Sequence, residues 1–416
     1  MSETKVKTKV DLVISNAAEA VTCIGEGMGD IGVMTNAWIA IKGDKIAGVG
    51  SEAEVKSNFD IEKSDVINAT GKVVAPGFVD SHTHLVFYGT RVEEYAAKLS
   101  GNDPENLKKL GITTGPNRTV ELTRNKPEYE LFEQSKKRLM SMLEYGITTV
   151  ESKSGYGLTT ESEIKILEVS RRLGNETPLD VLNTFLGAHG WPENMTKSEY
   201  LDVIINNMIP QIGERGLAEF CDVWCDEGYF TAEESEMILK AGLEYGMKPK
   251  IHADAYSYIG GSDLAAEMKM VSVDHLNYTP VEVIERLAEA KVTGVLMPAL
   301  DFAVHHKRPF DARKMLDLGM KIALATDLCP ACYTSSMQFV INLACRLYKF
   351  SVEEALKAAT IGGAKALDLD DRGVIKEGKL ADLQIWDVPT YKHVSYELGT
   401  NIVQTVMKKG KVVISR

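Results

Sequence analysis

The stretch that decides the fold is GFVDSHTHL, residues 77–85, in which a short apolar run ends in polar residues. Seven later runs share this pattern, and most are followed by a polar turn and a periodic helix. They are ITTVESKSG (147–155), LDVLNTFLGAH (179–189), EFCDVWCDEG (219–228), KPKIHADA (248–255), VSVDHL (271–276), VTGVLMPA (292–299) and KIALATDL (321–328). Alternation of short strands with helices is typical of a parallel sheet. Eight such units within residues 77–365 predict an α/β protein with a (β/α)8 TIM barrel.

The two ends of the chain differ from this middle part. Both carry β-branched, alternating runs broken by turn residues, as at Gly43-Asp44 and Lys409-Gly410. Neither end alone is long enough to bury a core. We therefore expect residues 1–76 and 366–416 to pair into one small composite β-sandwich domain beside the barrel, with two independent caps as the alternative.

Composition argues against a nucleic-acid-binding protein and against a membrane-spanning one. The 416 residues include 59 acidic and 47 basic side chains, for a net charge of −12, whereas a general nucleic-acid binder needs a basic face. The sequence contains no run of 18 or more apolar residues, so no membrane-spanning helix is expected, and the first residues lack the apolar core of a signal peptide. Six cysteines without a disulfide framework fit a reducing compartment. A cytoplasmic protein with neither nucleic-acid nor membrane partners is expected.

Histidines and a carboxylate gather at the predicted strand ends. His82 and His84 alternate on the first strand, so both imidazoles face the same side. His252, His275 and Asp327 end later strands, and the carboxyl edge of such a barrel is its active face. Histidines with a carboxylate can hold a divalent metal and leave one position open for water, whose pKa the metal lowers. The pattern predicts one divalent metal, zinc or iron, with Asp327 also accepting a proton and His275 orienting the attacking water or polarising a carbonyl.

Seven longer motifs resemble one family, in the same order and over nearly the whole chain. They are GFVDSHTHLVFYGTR, VESKSGYGL, TFLGAHGWP, FCDVWCDEGYF, KIHADAYSYIGGSDLAAE, VSVDHL and IALATD. Together they resemble the amidohydrolase superfamily and, within it, the imidazolonepropionase family. The resemblance implies a metal-dependent hydrolase that opens the cyclic amide of 4-imidazolone-5-propanoate to N-formimino-L-glutamate, in histidine degradation. It also implies a homodimer, by analogy alone.

The resemblance also assigns residues by position. It implies that the metal ligands are His82, His84, His252 and Asp327, and that His275 lies beside the attacking water.

Three further residues, Arg91, Tyr156 and His189, resemble those that hold the propionate and the ring of the substrate. A guanidinium suits a carboxylate because it binds it bidentately. The alternatives are a surface ion pair for Arg91 and simple packing for Tyr156. Lys153 also falls in a family motif, and we expect it in a structural ion pair rather than in a metal bridge.

Because the sequence departs from the family pattern at three positions, it does not determine which ring the substrate contains. Ala255 stands where the family has a glutamate, and Cys329 and Cys332 stand where it has ring-contacting asparagine and serine. We expect both cysteines to contact substrate, and a related five-membered ring (another imidazolone, a hydantoin or a thio-substituted ring) is the alternative. A deaminase would want the glutamate that Ala255 replaces, and a non-enzymatic binding protein would not need a full ligand set.

A cysteine pair and two acidic residues near the predicted ligands each have more than one interpretation. Cys329 and Cys332 form a C-x-x-C pair, which could hold zinc or act as a redox dithiol, but no second cysteine pair accompanies it. Asp80 lies two residues before His82, and Asp254 lies two residues after His252. These carboxylates could orient the two histidines, or they could serve in turns.

Overall fold

The computed structural model describes residues 7–102, 104–111, 114–306 and 311–416. Its strands, in chain order, are β1 Thr8–Lys9, β2 Leu12–Val21, β3 Val33–Lys42, β4 Lys45–Gly50, β5 Phe59–Asp60, β6 Asp65–Asn68, β7 Val73–Pro76, β8 Phe78–Asp80, β9 Ile147–Lys153, β10 Asp180–Ala188, β11 Phe220–Cys225, β12 Lys248–Ala253, β13 Ser272–His275, β14 Thr293–Leu296, β15 Lys321–Leu324, β16 Leu383–Trp386, β17 Val403–Lys408 and β18 Lys411–Ser415.

The α-helices are α1 Glu52–Asn58, α2 Val92–Leu99, α3 Pro104–Lys109, α4 Gly115–Arg124, α5 Glu128–Glu144, α6 Thr160–Glu176, α7 Lys197–Val203, α8 Ile209–Glu214, α9 Ala232–Glu244, α10 Gly261–Glu267, α11 Val281–Ala290, α12 Pro298–Ala303, α13 Ala312–Asp317, α14 Met337–Leu347, α15 Val352–Lys357, α16 Gly363–Ala366 and α17 His393–Tyr396. Two π-helical turns, Ile204–Met208 and Ala358–Gly362, join α7 to α8 and α15 to α16. Within the described ranges, no helix combines the length and the apolar character that crossing a membrane requires.

Strands β8 to β15 form a parallel sheet in which each strand pairs with its neighbours in the chain. The sheet closes where its first and last strands meet. Thr83, just after β8, pairs with Leu328, just after β15. In addition, Asp327 N–H donates to the carbonyl of His82 at 3.1 Å, and His84 N–H to that of Leu328 at 3.0 Å. The predicted (β/α)8 barrel and all eight of its strands are confirmed.

The last helical segment closes the barrel from outside. Gly362 and Gly363 lie against β15 and β8, where a Cβ atom would overlap the carbonyl oxygens of Ile322 and Val79. Only glycine permits this approach of backbone to backbone. Several outer helices begin with a Ser/Thr-x-x-Glu capping box, as at Thr231 in front of α9, which satisfies the free N–H groups of the first turn.

A second sheet is built from both ends of the chain. Its order is β18-β17-β16-β7-β2-β3-β4, with β6 against β2. The two ends join where β16 pairs antiparallel with β7. The turns predicted at Gly43-Asp44 and Lys409-Gly410 connect the antiparallel pairs β3–β4 and β17–β18. The prediction of a barrel plus a sheet shared by both ends is confirmed, while the exact division at residues 76 and 366 stays a prediction.

Charged contacts connect the sheet to the barrel. Asp180, at the start of β10, accepts hydrogen bonds from Lys408 and Lys409 at 2.8 Å each and from Arg372 at 2.5 Å. Lys408 is nearly fully buried and also donates to Asp382 at 2.5 Å. A buried ammonium needs such partners, so these contacts fix the sheet against the barrel.

Candidate active site

The histidines and the carboxylate predicted at the strand ends meet at one edge of the barrel. His82 and His84 follow β8, His252 lies in β12, His275 ends β13, and Asp327 follows β15. The ring centres are 4.6 Å apart for His82 and His252, 5.5 Å for His82 and His84, and 5.1 Å for His252 and His275. All five side chains are buried. The structure therefore brings together every residue predicted to hold the metal or to act beside it.

Two of these residues have an unusual backbone conformation. Asp327 has φ of 47° and His275 has φ of 82°, in the left-handed region that non-glycine residues rarely occupy. Strain of this kind persists only where surrounding contacts maintain it, and it is concentrated at functional sites. The hydrogen bond from Asp327 N–H to the His82 carbonyl is one such contact.

The side-chain atoms at the centre fit a divalent metal. Asp327 Oδ1 lies 3.7 Å from His82 Nε2 and 3.8 Å from His84 Nε2. Ligand atoms of these three residues lie within 4.8 Å of one another, as do those of His82, His252 and His275. Within the described chain, His82 Nε2, His252 Nε2 and Asp327 Oδ1 are buried and have no hydrogen-bond partner. Leaving such atoms unpaired is costly, and a cation between them would satisfy all three.

Burial keeps the imidazoles in the form that binds metal. It is the largest cause of pKa values well below 6.5 for His82, His84 and His252, and nearby positive charges lower the pKa further. Burial also lowers the pKa of His275 to about 4. Neutral imidazoles at neutral pH have a free lone pair, which a metal requires.

A second layer of carboxylates lies beside two of the histidines. His82 Nδ1 forms a hydrogen bond of 2.7 Å with Asp274 Oδ2, whereas His252 Nδ1 lies 2.9 Å from Asp222 Oδ2 without forming a hydrogen bond. Burial would raise the pKa of Asp274, but the ammonium group of Lys153 helps to lower it to about 2. Because the ionised carboxylate accepts the Nδ1 proton of His82, the Nε2 lone pair is left for the metal.

Asp80 and Asp254 do not perform this role. Asp80 accepts hydrogen bonds from the Thr326 amide at 3.1 Å and from its hydroxyl at 2.6 Å, and Asp254 accepts one from the Thr279 hydroxyl at 2.6 Å. The structure thus pairs neither carboxylate with the histidine that it was suggested to orient, and their partners are threonines of the segments after β15 and β13 rather than residues of their own turns. Residues two apart on one strand lie in different layers of the barrel, so the partner of each histidine comes from another strand: Asp222 from β11, next to β12, and Asp274 from β13, which is not adjacent to β8.

Lys153 lies at the centre of a buried ion network. Its Nζ is 2.7 Å from Asp222, 3.0 Å from Glu151 and 3.2 Å from Asp274, and all four side chains are fully buried. Lys250, which the sequence did not single out, pairs with Glu151 at 2.7 Å. Burial alone would lower the pKa of Lys153, but the three carboxylates raise it above its usual value. The expected ion pair is present, and a charged ammonium does not bridge metals.

A cavity of about 640 Å³ opens above these residues. Its lining includes His84, His252, His275 and Asp327 at the floor. The predicted substrate contacts Arg91, Tyr156, His189 and Cys329 also line it, as does Ala255. The cavity thus combines three of the four predicted metal ligands with one guanidinium, in a volume typical of small-molecule sites.

Aromatic rings form one wall of this cavity. His189 stacks on His84 with 4.8 Å between ring centres and lies 5.1 Å from Trp224, which stacks on Tyr229 at 3.6 Å. Tyr156 lies 5.5 Å from His84. The sequence interpretation missed Trp224 and Tyr229, although the motif FCDVWCDEGYF contains both and Trp224 shares the inward face of β11 with Asp222.

The two cysteines have different positions. Cys329 lines the cavity, and burial followed by the Asp327 charge raises the pKa of its thiol. Cys332 is not among the lining residues; its thiol donates to the Thr326 carbonyl at 3.6 Å, and Ala331 lines the cavity instead. The structure thus does not bring Cys332 to the substrate space. No potential metal-binding group among the described residues includes either cysteine, which gives a zinc role for the C-x-x-C pair no support.

Comparisons with known proteins agree with this geometry. Amidohydrolase family models match residues 65–114 and 231–413. Imidazolonepropionases from Alkaliphilus oremlandii and Clostridium tetani are each 41% identical over 419 residues, covering 98% of this chain and 99% of theirs. The one from Geobacillus kaustophilus is 41% identical over 410 residues, covering 97% of this chain and 96% of its own.

Solved structures share the fold at low identity. An adenosine deaminase from Xanthomonas campestris with bound zinc has a TM-score of 0.75 and 17% identity, covering 99% of this chain and 94% of its own. An ochratoxinase from A. niger has a TM-score of 0.73 and 18% identity, covering 99% and 97%. At such identities the likeness establishes the architecture, and the chemistry must come from the residues themselves.

Proposed function

The chain belongs to the imidazolonepropionase family of amidohydrolases, and from that membership we propose that it is a metal-dependent hydrolase of a cyclic amide C–N bond. Its substrate is 4-imidazolone-5-propanoate, which it opens to N-formimino-L-glutamate in histidine degradation. The observation that carries this proposal is the convergence of buried, unpaired ligand atoms of His82, His252 and Asp327 next to a cavity that His252, Asp327 and Arg91 line.

One divalent ion, zinc or iron, is the proposed cofactor. His82, His84, His252 and Asp327 would hold it, with Asp274 and Asp222 beside the outer nitrogens of two histidines. When bound there, the ion supplies Lewis acidity, which acidifies the attacking water and polarises the amide.

Two side chains at the floor, Asp327 and His275, have proposed roles in the reaction. Asp327 is the proposed acceptor of a proton of the attacking water, and burial raises the pKa of its carboxyl group well above the usual range. As the water oxygen bonds to the carbonyl carbon and the C–N bond breaks, that proton passes to the ring nitrogen. His275 is neutral because burial lowers its pKa to about 4, and it orients the water or the carbonyl through a hydrogen bond.

The remaining lining residues hold the substrate. Arg91 receives the propionate, because a guanidinium pairs bidentately with a carboxylate. Tyr156 and His189 bound the space beside His84 and contact the ring. With the propionate beside Arg91 and the ring over the floor, the scissile amide would be aligned with Asp327, and such alignment contributes much of the rate.

A related five-membered ring is the second proposal for the substrate. Cys329 and Ala255 line the cavity where the family resemblance implies asparagine and glutamate, so two polar contacts to the ring are replaced by a thiol and a methyl group. Sites that read a ring by hydrogen bonds discriminate strongly, and a less polar or sulfur-bearing ring would suit this wall. We also propose, from family analogy alone, a cytoplasmic homodimer.

The test is a comparison of substrates with metal-loaded protein. Ring opening of 4-imidazolone-5-propanoate is followed by loss of ultraviolet absorbance, and the product is identified by mass spectrometry as substrate plus one water. Hydantoin-5-propanoate and a thio-substituted analogue are measured in parallel. Turnover of the imidazolone with the highest kcat/KM supports the proposal. Turnover of only an analogue would favour the second substrate, and turnover of none would refute the hydrolase assignment.

A further inference from the structure

Glu94, in α2 beside the cavity, has an unusually complete set of partners. Its carboxylate accepts hydrogen bonds from Arg91 Nε and Arg91 Nη2, both at 2.7 Å, from Lys98 Nζ at 2.5 Å and from the amide of Gly115 at 3.1 Å. The side chain is only 2% exposed. A buried carboxylate with two bonds on each oxygen is fully satisfied, so Glu94 connects α2 and its N-terminal Arg91 to the start of α4 at Gly115.

The pairing uses one edge of the Arg91 guanidinium and leaves another available. A guanidinium has five N–H donors in a rigid planar fork. Glu94 takes the edge made by Nε and Nη2, which leaves the edge made by Nη1 and the second proton of Nη2. Arg91 lines the cavity, and that remaining edge can pair bidentately with a second carboxylate.

The charges of this cluster match one acidic group. Arg91 and Lys98 both line the cavity and share the single negative charge of Glu94. Burial would raise the pKa of Glu94, but its bonds to Arg91 and Lys98 lower it to about 2, so it stays ionised at neutral pH. One net positive charge remains, which complements one carboxylate.

Helix α2 is fixed above the cavity by another contact. The Tyr95 hydroxyl lies 2.8 Å from the carbonyl oxygen of Ala303 and 2.7 Å from that of Ala331. These carbonyls belong to the segments that follow β14 and β15. Glu94 therefore acts from a helix that is itself anchored to the rim of the barrel, and this restricts how far Arg91 can move.

We propose that Glu94 is a positioning residue that presents Arg91 to the carboxylate of the substrate. In this arrangement Arg91, Glu94 and Lys98 form a receptor for a substrate with one acidic tail. The inference rests on the proposed function in one respect, namely that Arg91 binds the substrate carboxylate. A purely structural Glu94 would instead affect acidic and neutral ligands alike.

The test compares Glu94→Gln with Glu93→Gln in the full-length, metal-loaded protein. Glu93 lies next to Glu94 in α2 but is exposed, so the control removes the same charge without removing the contacts. For 4-imidazolone-5-propanoate, E94Q should raise KM about tenfold or more and change kcat by less than about threefold, since the lost contact binds ground state and transition state alike. For the methyl ester of that substrate, E94Q and E93Q should both resemble the unmodified protein.

A binding experiment tests this inference independently of the proposed function. Calorimetry with imidazole-4-propionate and its methyl ester needs no turnover. The unmodified protein should prefer the acid, and E94Q should lose that preference even if 4-imidazolone-5-propanoate is not a substrate. Absence of ring opening with an acid preference that E94Q abolishes would therefore refute the substrate and leave the role of Glu94 supported.

Two results would overturn the inference. One is an equal loss of affinity for acid and ester in E94Q, and the other is an unchanged preference for the acid. If E94Q does not fold, Glu94→Asp decides the question, because it keeps the charge but is too short to hold both Arg91 nitrogens. E94D should weaken binding of the acid about threefold or more and leave the ester unaffected; equal effects on both would contradict the proposal.

Discussion

Replacing Asp274 by asparagine tests how the second layer of carboxylates supports the metal site. Asp274 accepts the Nδ1 proton of His82 at 2.7 Å, and its carboxylate lies 3.2 Å from Lys153 Nζ. The asparagine side chain in D274N would have the same shape but would lose the negative charge, so the contact with His82 would weaken and either ring tautomer could form. The side chains are fully buried, so solvent would not replace the lost interaction.

The expected magnitude follows from these contacts. Loss of a hydrogen bond between a metal-binding histidine and its carboxylate partner lowers metal affinity about 10–100-fold. This range corresponds to about 1.4–2.7 kcal/mol, which agrees with about 1.5–3 kcal/mol for a hydrogen bond to a charged group. D274N also weakens the ion pair with Lys153, which should lower folding stability. That effect does not offset the loss of metal affinity.

The assay is competition for Zn²⁺ between the protein and a chromophoric chelator, with two control variants. Ser272→Ala removes only a hydroxyl that donates to Asp274 at 2.8 Å, and it should lower affinity by less than about threefold. Asp254→Asn alters the residue that the sequence offered as a partner of His252, and it should also have less than about a threefold effect. Wild-type affinity in D274N, or a larger loss in D254N than in D274N, would refute the assignment.

Other consequences of the structure are testable in the same protein. Lys153→Met would leave three carboxylates buried around an apolar side chain, so we expect a loss of about 3–5 kcal/mol in stability; an unchanged urea midpoint would contradict the ion network. Asp180→Asn should destabilise the contact between sheet and barrel by about 1–3 kcal/mol at pH 7. Burial would raise the pKa of Asp180, but Lys408, Lys409 and Arg372 hold it below its usual 3.8. The ionised Asp180 therefore stabilises the fold above pH 3.8, and this stabilisation is lost as the pH falls below 3.8. The difference between wild type and D180N in urea unfolding should therefore stay constant from about pH 7 to 5 and shrink below about pH 4; a difference that grows on acidification would contradict the sign. Cys329→Asn should raise kcat/KM for 4-imidazolone-5-propanoate about threefold or more, because it adds hydrogen-bonding groups to the cavity wall. Cys332→Ala should leave kcat/KM within about twofold, because Cys332 does not line the cavity. A larger effect of C332A than of C329N would refute the placement of the two thiols.

The barrel and the floor of its cavity were predictable because their signals are local. Each strand shows as a short apolar run before a polar turn, and the carboxyl ends of parallel barrel strands meet at one face. The convergence of His82, His252 and Asp327 follows from that topology, although these residues lie far apart in the sequence. The pairing of both chain ends into one sheet followed from their strand-like patterns and their short lengths.

Side-chain contacts between different strands of the barrel were not predictable from the sequence. Whether His82 meets Asp80 or Asp274 depends on the stagger of the barrel strands, and alternation along one strand does not determine the stagger. The same holds for Asp222 beside His252. No pattern in the sequence identified either carboxylate as the partner of a histidine.

Turn geometry explains the difference between the two cysteines. Cys329 and Cys332 exchange backbone hydrogen bonds of 3.1 and 3.2 Å, which closes a tight turn and directs the Cys332 thiol back toward Thr326. A resemblance by position identifies which residue stands in a loop, but the direction of its side chain depends on the turn. Glu94 illustrates the same limit, because nothing in its local sequence distinguishes it from the exposed Glu93.

Titration of metal-free protein with Zn²⁺ or Fe²⁺, with the rate of 4-imidazolone-5-propanoate ring opening measured at each step, tests the central claim most directly. No ring opening is expected without metal, and the rate should rise linearly to a plateau at one ion per chain. Full activity of the metal-free protein, or a plateau reached only at two ions per chain, would contradict a single-metal site made by His82, His84, His252 and Asp327.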